Sequence, residues 1–359
     1  MNGRVRRRDV LKGMGGIAVG AAMSGLGRAR RAEAQRRFDG ETVRVQFWAG
    51  PEGQTIRSGV VEPFIQKTGT KVVVTEGWTS ASIAKARAEK ANPSTSVYLL
   101  DDYGAIAAGR EGVFEPLDLS RIPNAADVDP RFVLENKLGI GFFTYVTGLV
   151  YNTNIVKTPP TSWKVLWDPQ YKGKIAIPPV AAGPALHMAI VAAMVNGGNQ
   201  HNMEPAWDAL KALKPNVAVM EQSGAVLAEL LRTGEVALVM RTVYLFKSYI
   251  EQGYPIGISL NMQEGFFATP GCAAITRNHP DKIDPIYAFV NETLSGDAQA
   301  KMAQLLWFGP TNRKVTIPPE VSKYLISTPE QWNKIIKVDQ EDLAAHREEW
   351  IQKYTRALV

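Results

Sequence analysis

Arg241 directly follows the apolar run VALVM at 236–240, so it stands where a buried strand would leave its core. A guanidinium there can fork onto a carboxylate, phosphate or phosphonate, or it can close a structural salt bridge. The run PPVAAGPAL at 178–186 opens a helix near Gly183 with small residues and no carboxylate, which leaves backbone amides available to an anion. Trp48 and Trp78 end or follow strand patterns; each can stack on a solute or cap a core. Ser80 and Ser82 head an Ala-rich helix whose amides could hold an anion, unless the hydroxyls simply cap it. Asp101 and Asp102 precede Tyr103 at a strand end, where they could bind a cation or cap the short helix that follows.

Other chemistries find little support. The chain has one cysteine, Cys272, in the apolar strand pattern CAAIT, so no intramolecular disulfide is available and a buried inert thiol is expected. Its four histidines, His187, His201, His279 and His346, form no i, i+4 pair and lack companion cysteines, which disfavours zinc or haem. No cofactor is expected.

The elements that must position these residues alternate. Strand patterns at 43–48, 71–75 and 97–100 interleave with helical patterns at 56–67, 80–90 and 103–110. In the second half, helices at 184–195, 204–213, 224–232 and 244–252 interleave with strands at 217–220, 236–240 and 256–260. This order predicts an α/β fold with a mostly parallel sheet flanked by helices in each half. In such sheets, ligands sit at the carboxyl ends of strands and beside helix N-termini, so the loops after Trp48, Glu76, Leu100, Ile177, Met240 and Leu260 face the cleft. The stretch 145–178 reads as two short strands joined by an aromatic-rich excursion through Pro159-Pro160, Trp163 and Trp167, the architecture of a connector between lobes. At the C-terminus, Leu343, Trp350, Ile351, Tyr354 and Leu358 form one helical stripe that should pack on a lobe.

The first 34 residues carry Arg7-Arg8, Leu11 and Lys12, a Gly/Ala-rich weakly apolar run and Ala32-Glu33-Ala34, the pattern of a twin-arginine export signal. They contain eight basic and two acidic residues of the chain's 41 and 35, so removal leaves 33 of each. A net charge of zero gives no support for nucleic-acid or membrane-surface binding, and nucleic acid is not expected as a partner. About 325 residues then remain, more than one core usually serves, so two domains are expected.

The segments GLVYNTNIV and TSWKVLWDPQYKGKIAIP resemble the extracellular solute-binding proteins of ABC importers, in the group that includes polyamine, iron and phosphonate receptors. VRVQFWAGPEG, REGVFEPLDLSRIPN, RTGEVALVM and GFFATPGCAAITRN extend the resemblance over most of the chain. It implies a two-lobed periplasmic protein joined by a hinge with two crossings, near residues 143 and 271. Lobe 1 would comprise 38–143 with 272–308, and lobe 2 would comprise 144–271 with 309–359. The partners it implies are a small solute and the permease subunits, with the receptor acting as a monomer and not as an enzyme. Polyamine receptors hold ammonium groups with carboxylates and aromatic rings, yet this chain has Val180, Gly183, Thr269 and Gly271 where the resemblance places such acids. It also lacks the adjacent tyrosine pair of the iron receptors. A small organic anion is therefore expected, with Tyr145, Tyr244 and Phe267 against its apolar portion. A polyamine, or an enzymatic role using Cys272, are the competing readings.

Overall fold

Among the described residues, ten strands join in one sheet. In the computed structural model, residues 37–180, 183–221 and 223–358 are described, and the export-signal expectation at 1–34 lies outside them. The strands are β1 (Thr42–Phe47), β2 (Lys71–Glu76), β3 (Val97–Asp101), β4 (Phe114–Glu115), β5 (Ile140–Asn152), β6 (Ile175–Ile177), β7 (Val217–Met220), β8 (Leu238–Thr242), β9 (Ile256–Ser259) and β10 (Phe267–Thr276). Their order is β2-β1-β3-β10-β5-β8-β6-β7, with β4 beside β10 and β9 beside β5. Within each half the neighbours β1, β2 and β3, and β6, β7 and β8, are parallel, as the alternating pattern predicts. The antiparallel pairs are those made by β5 and β10, which run between the halves.

β5 is longer than its sequence signal because its residues are buried along nearly the whole length, and a strand closed on both faces shows no alternation to mark its ends. Phe143 of β5 is the register partner of Gly271 of β10, so the two expected crossings lie side by side. The register shifts between Gly271 and Cys272, a bulge that locally sharpens twist. A Cβ at Gly271 would stand 2.4 Å from the Phe143 ring, so only glycine lets that ring lie across the strand. A third segment joins the crossing: Thr144 and Gly309 exchange backbone hydrogen bonds of 2.7 and 2.8 Å. The Thr311 hydroxyl adds a 2.8 Å bond to the Gly141 carbonyl.

Two boundaries differ from expectation. The first helix begins at Gly50 and runs through a π turn at Arg57–Val61 to Thr68, because Pro51 at its start needs no amide partner. β8 extends through Thr242, so Arg241 lies inside the strand, opposite Gly148, and not just beyond it. The excursion at 153–174 is built from 3-10 turns on buried aromatics. Trp163 is fully buried and donates its indole N–H to Gly265 O at 2.7 Å, while Trp167 donates to Ala209 O at 2.7 Å. The C-terminal helix Gln340–Leu358 packs on the helices Glu204–Leu213 and Gly183–Val195, and its Tyr354 hydroxyl donates to Pro178 O at 2.9 Å.

Candidate functional site

The carboxyl ends of β1, β3 and β8 converge on the middle of β5 and β10, and the residues there form a string of tyrosines and carboxylates. Asp101, the last residue of β3, is buried. Its carboxylate accepts from the Thr79 hydroxyl at 2.6 Å and from the Tyr145 hydroxyl at 3.0 Å. Burial pushes its pKa up, and the hydrogen bonds from Thr79 and Tyr145, with Tyr103 and Trp48 also bearing on it, work against that rise. Tyr145 sits opposite Thr269 in the β5–β10 pair and meets the Tyr244 ring edge-on at 6.0 Å. Tyr244, just past β8, donates its hydroxyl to Glu52 in the first turn of the helix after β1. The bond therefore ties the second half of the chain to the first. Beneath these groups Phe143 stacks on Phe308 at 4.0 Å and meets Trp48 at 5.7 Å.

Asp102 and Tyr103 begin the helix Asp102–Arg110. Asp101 does not cap that helix through its side chain, which faces Thr79 and Tyr145 instead. Asp102 accepts from the Tyr103 amide at 2.8 Å. Water reaches part of Asp102, yet desolvation by the surrounding protein, with the charge of Asp101 adding to it, moves its carboxyl up to about 7. A native carboxyl raised above its ordinary range binds protons that the unfolded chain releases, so its contribution to stability falls as pH rises from about 4 to 7. An Asp102→Asn protein is expected to gain on the wild type in urea midpoint between pH 5 and pH 8; equal midpoints at both pH values would remove the shifted carboxyl.

The remaining candidates divide. Trp78 is 56% exposed and Tyr103 42%, so both side chains are open to solvent. Trp48 is 4% exposed and packs into the core through Phe143, which favours its capping role. Ser80 is exposed on the first turn of Thr79–Ala88, whereas Ser82 is buried, accepts from Gln46 at 2.7 Å and does structural duty. Gly183 begins the helix Gly183–Val195 beside the loop that follows β6. Phe267 is buried against His187, a parallel stack at 4.1 Å, so it forms the wall beneath the site more than its surface. Thr269 is half-buried beside Tyr145. Arg241 is 8% exposed; burial lowers its pKa, while Tyr244 and Glu221 nearby sustain its charge.

Sequence reasoning missed Glu52, Thr79 and Phe308. Glu52 lies four residues past Trp48, in the first turn of the helix that follows β1, at a strand end the positional rule already assigns to the cleft, and so was findable. Thr79 was hidden by the expectation that the helix starts one residue later. The four positions named above carry no acid, but Asp101, Asp102 and Glu52 bring three carboxyl groups close to Tyr145, Tyr103 and Tyr244. Burial holds the Cys272 thiol protonated, far above its ordinary pKa, which fits packing and not nucleophilic attack. Among the described residues no group of acids, histidines and cysteine has the placement of a metal site, and no helix is long and apolar enough to cross a membrane.

Residues 59–328 match a family model described as bacterial extracellular solute-binding protein. The chain is 25% identical over 320 residues to the spermidine/putrescine-binding periplasmic protein of Escherichia coli K12, covering 85% of this chain and 86% of that one. A match to spermidine/putrescine-binding periplasmic protein 1 of Haemophilus influenzae, also 25% identical, spans 189 residues and half the length of that protein. Among solved structures, an ABC transporter protein from Clostridium perfringens superposes with a TM-score of 0.76 at 25% identity over 88% of this chain and all of the other. A solute-binding protein from Bordetella parapertussis gives 0.77 at 19% identity, over 89% and 99%.

Proposed function

Since the chain belongs to the bacterial extracellular solute-binding proteins, serving ABC importers by capturing a small solute for permease subunits, we propose that its solute is a small organic acid that also carries an amine. The observation that carries this reading is what surrounds the Tyr145–Tyr244 pair: Asp101 accepts from Tyr145, Glu52 accepts from Tyr244, and the buried Arg241 lies near enough to Tyr244 to feel its charge. The carboxylates and the exposed Trp78 and Tyr103 rings suit an ammonium group, through charge-assisted hydrogen bonds and cation–π contact. Arg241 suits the carboxylate, sharing its charge between Glu221 and the solute. We further propose that the receptor works in the periplasm as a monomer after twin-arginine export, with lobes divided as the resemblance implies, and performs no bond chemistry.

The polyamine reading keeps one specific support, the three carboxyl groups, together with the names of the relatives. A thermal-shift and calorimetric series with 4-aminobutyrate, succinate, methylphosphonate and putrescine separates the readings, because a ligand at a hundred times its Kd stabilises the fold by about 2.7 kcal/mol. The expected result is tightest binding of 4-aminobutyrate. Tighter binding of putrescine would install the polyamine, and tighter binding of succinate or methylphosphonate would leave an anion receptor without an amine site.

A further inference from the structure

His187 lies in the second turn of the helix Gly183–Val195, just past the loop that leaves the carboxyl end of β6. Its ring is flat against Phe267, with centroids 4.1 Å apart and planes within 1°. Phe267 opens β10, and two residues on in the same strand Thr269 faces Tyr145 of β5. The imidazole therefore borders the same floor as the tyrosine string, from the half of the chain that also supplies Arg241. The two ring nitrogens are in unlike surroundings. Nδ1 is sealed from solvent and has no hydrogen-bond partner, whereas the residue as a whole is partly exposed. Nε2 is then the ring nitrogen that is not sealed.

The contrast fixes the chemistry. Buried orphan N–H groups are rarer than buried orphan acceptors, so the single proton of a neutral imidazole belongs on Nε2 and leaves a lone pair on Nδ1. Adding a second proton would bury an unpaired N–H beside Phe267, and burial accordingly lowers the pKa of His187 to about 4. Stacking on Phe267 holds the ring in one plane. We propose that His187 is a solute-binding residue that presents one fixed donor, Nε2–H, to an oxygen of the solute's acid group. This rests on the reading of the protein as a receptor for a solute bearing such a group, and it adds a neutral contact to the charged one from Arg241. Neutral donors of this kind select for an oxygen acceptor and against an ammonium, because nothing on the exposed edge of the ring can accept a proton.

Two measurements test it. The first is a long-range nitrogen–proton spectrum of the unliganded full chain labelled with ¹⁵N-histidine, at pH 7. The expected His187 signal is that of a neutral ring protonated on Nε2; a proton on Nδ1, or an imidazolium, would overturn the proposal whatever the solute. The second uses whichever of 4-aminobutyrate, succinate or methylphosphonate binds best, against His187→Phe and His187→Ala. His187→Phe keeps the stack on Phe267 and removes the donor, so a residue serving only to pack would leave affinity unchanged. The expected result is a loss of roughly fivefold or more in both variants, with Nε2 of the wild type shifting on addition of the probe. Wild-type affinity in His187→Phe would refute the contact. If putrescine alone binds, the acid-bearing solute falls together with the His187 contact, whereas wild-type binding of an acid probe by His187→Phe removes the contact and leaves the receptor reading standing.

Discussion

Replacing Trp163 with alanine is expected to lower unfolding free energy in urea by about 3–5 kcal/mol, the range for truncating a large buried aromatic. The indole is fully buried, and its N–H bond to Gly265 O joins the 153–174 excursion to the turn that enters β10. The same turn is held by Glu264, whose carboxylate accepts from the Ser162 hydroxyl and the Trp163 amide. Loss of the ring therefore leaves both a cavity and an unpaired carbonyl, which is why the upper part of the range applies. A Trp163→Phe protein should recover most of the packing but not the hydrogen bond. Urea melts followed by far-ultraviolet circular dichroism check both; a loss below about 1 kcal/mol in Trp163→Ala would show that the excursion is not anchored there.

For Arg241→Ala, calorimetry with the best-binding acid probe is expected to show a loss of at least ~1.5–3 kcal/mol, about ten- to a hundredfold in Kd, the worth of hydrogen bonds to a charged group. Arg241→Lys should recover only part of this, since an ammonium keeps the charge but not the planar fork. Stability provides the necessary contrast. If Arg241 serves only to hold Glu221, the alanine variant will melt early and bind the probe with unchanged affinity. If it serves the solute as well, affinity falls whatever happens to the melting temperature, because the lost contact is made only in the complex.

Much of this was legible in the chain itself. The alternation of strand and helix patterns carries the parallel pairs of both halves, because helices that cover a sheet must show one apolar face each. The helix Glu204–Leu213 and the strand Val217–Met220 lie at the expected residues, the helix opened by Pro205 and parted from the strand by a 3-10 turn at Lys214–Asn216. What could not be read is pairing across long separations. Nothing local in Glu52 announces Tyr244, 192 residues away, and nothing local in Thr144 announces Gly309. Asp101 shows the limit well. Next to a helix start it reads as a cap, and only the approach of Tyr145 from another strand gives its carboxylate a partner from beyond its own neighbourhood. The shift of Arg241 into β8 has a related cause: its partner Gly148 is buried beside it, and a strand continues as long as a neighbour supplies its ladder bonds.

The unbroken ladder from β2 to β7 has a mechanical meaning. Two bodies joined by loose chain could swing through any angle, but halves that share hydrogen-bonded strands can turn only as far as those strands will twist. The bulge between Gly271 and Cys272, with Gly309 bonded to Thr144 close by, is where the ladder is locally disrupted and its twist sharpened. A solute that drew the halves together would have to twist this shared sheet, and the energy stored in the twist would be subtracted from its binding energy.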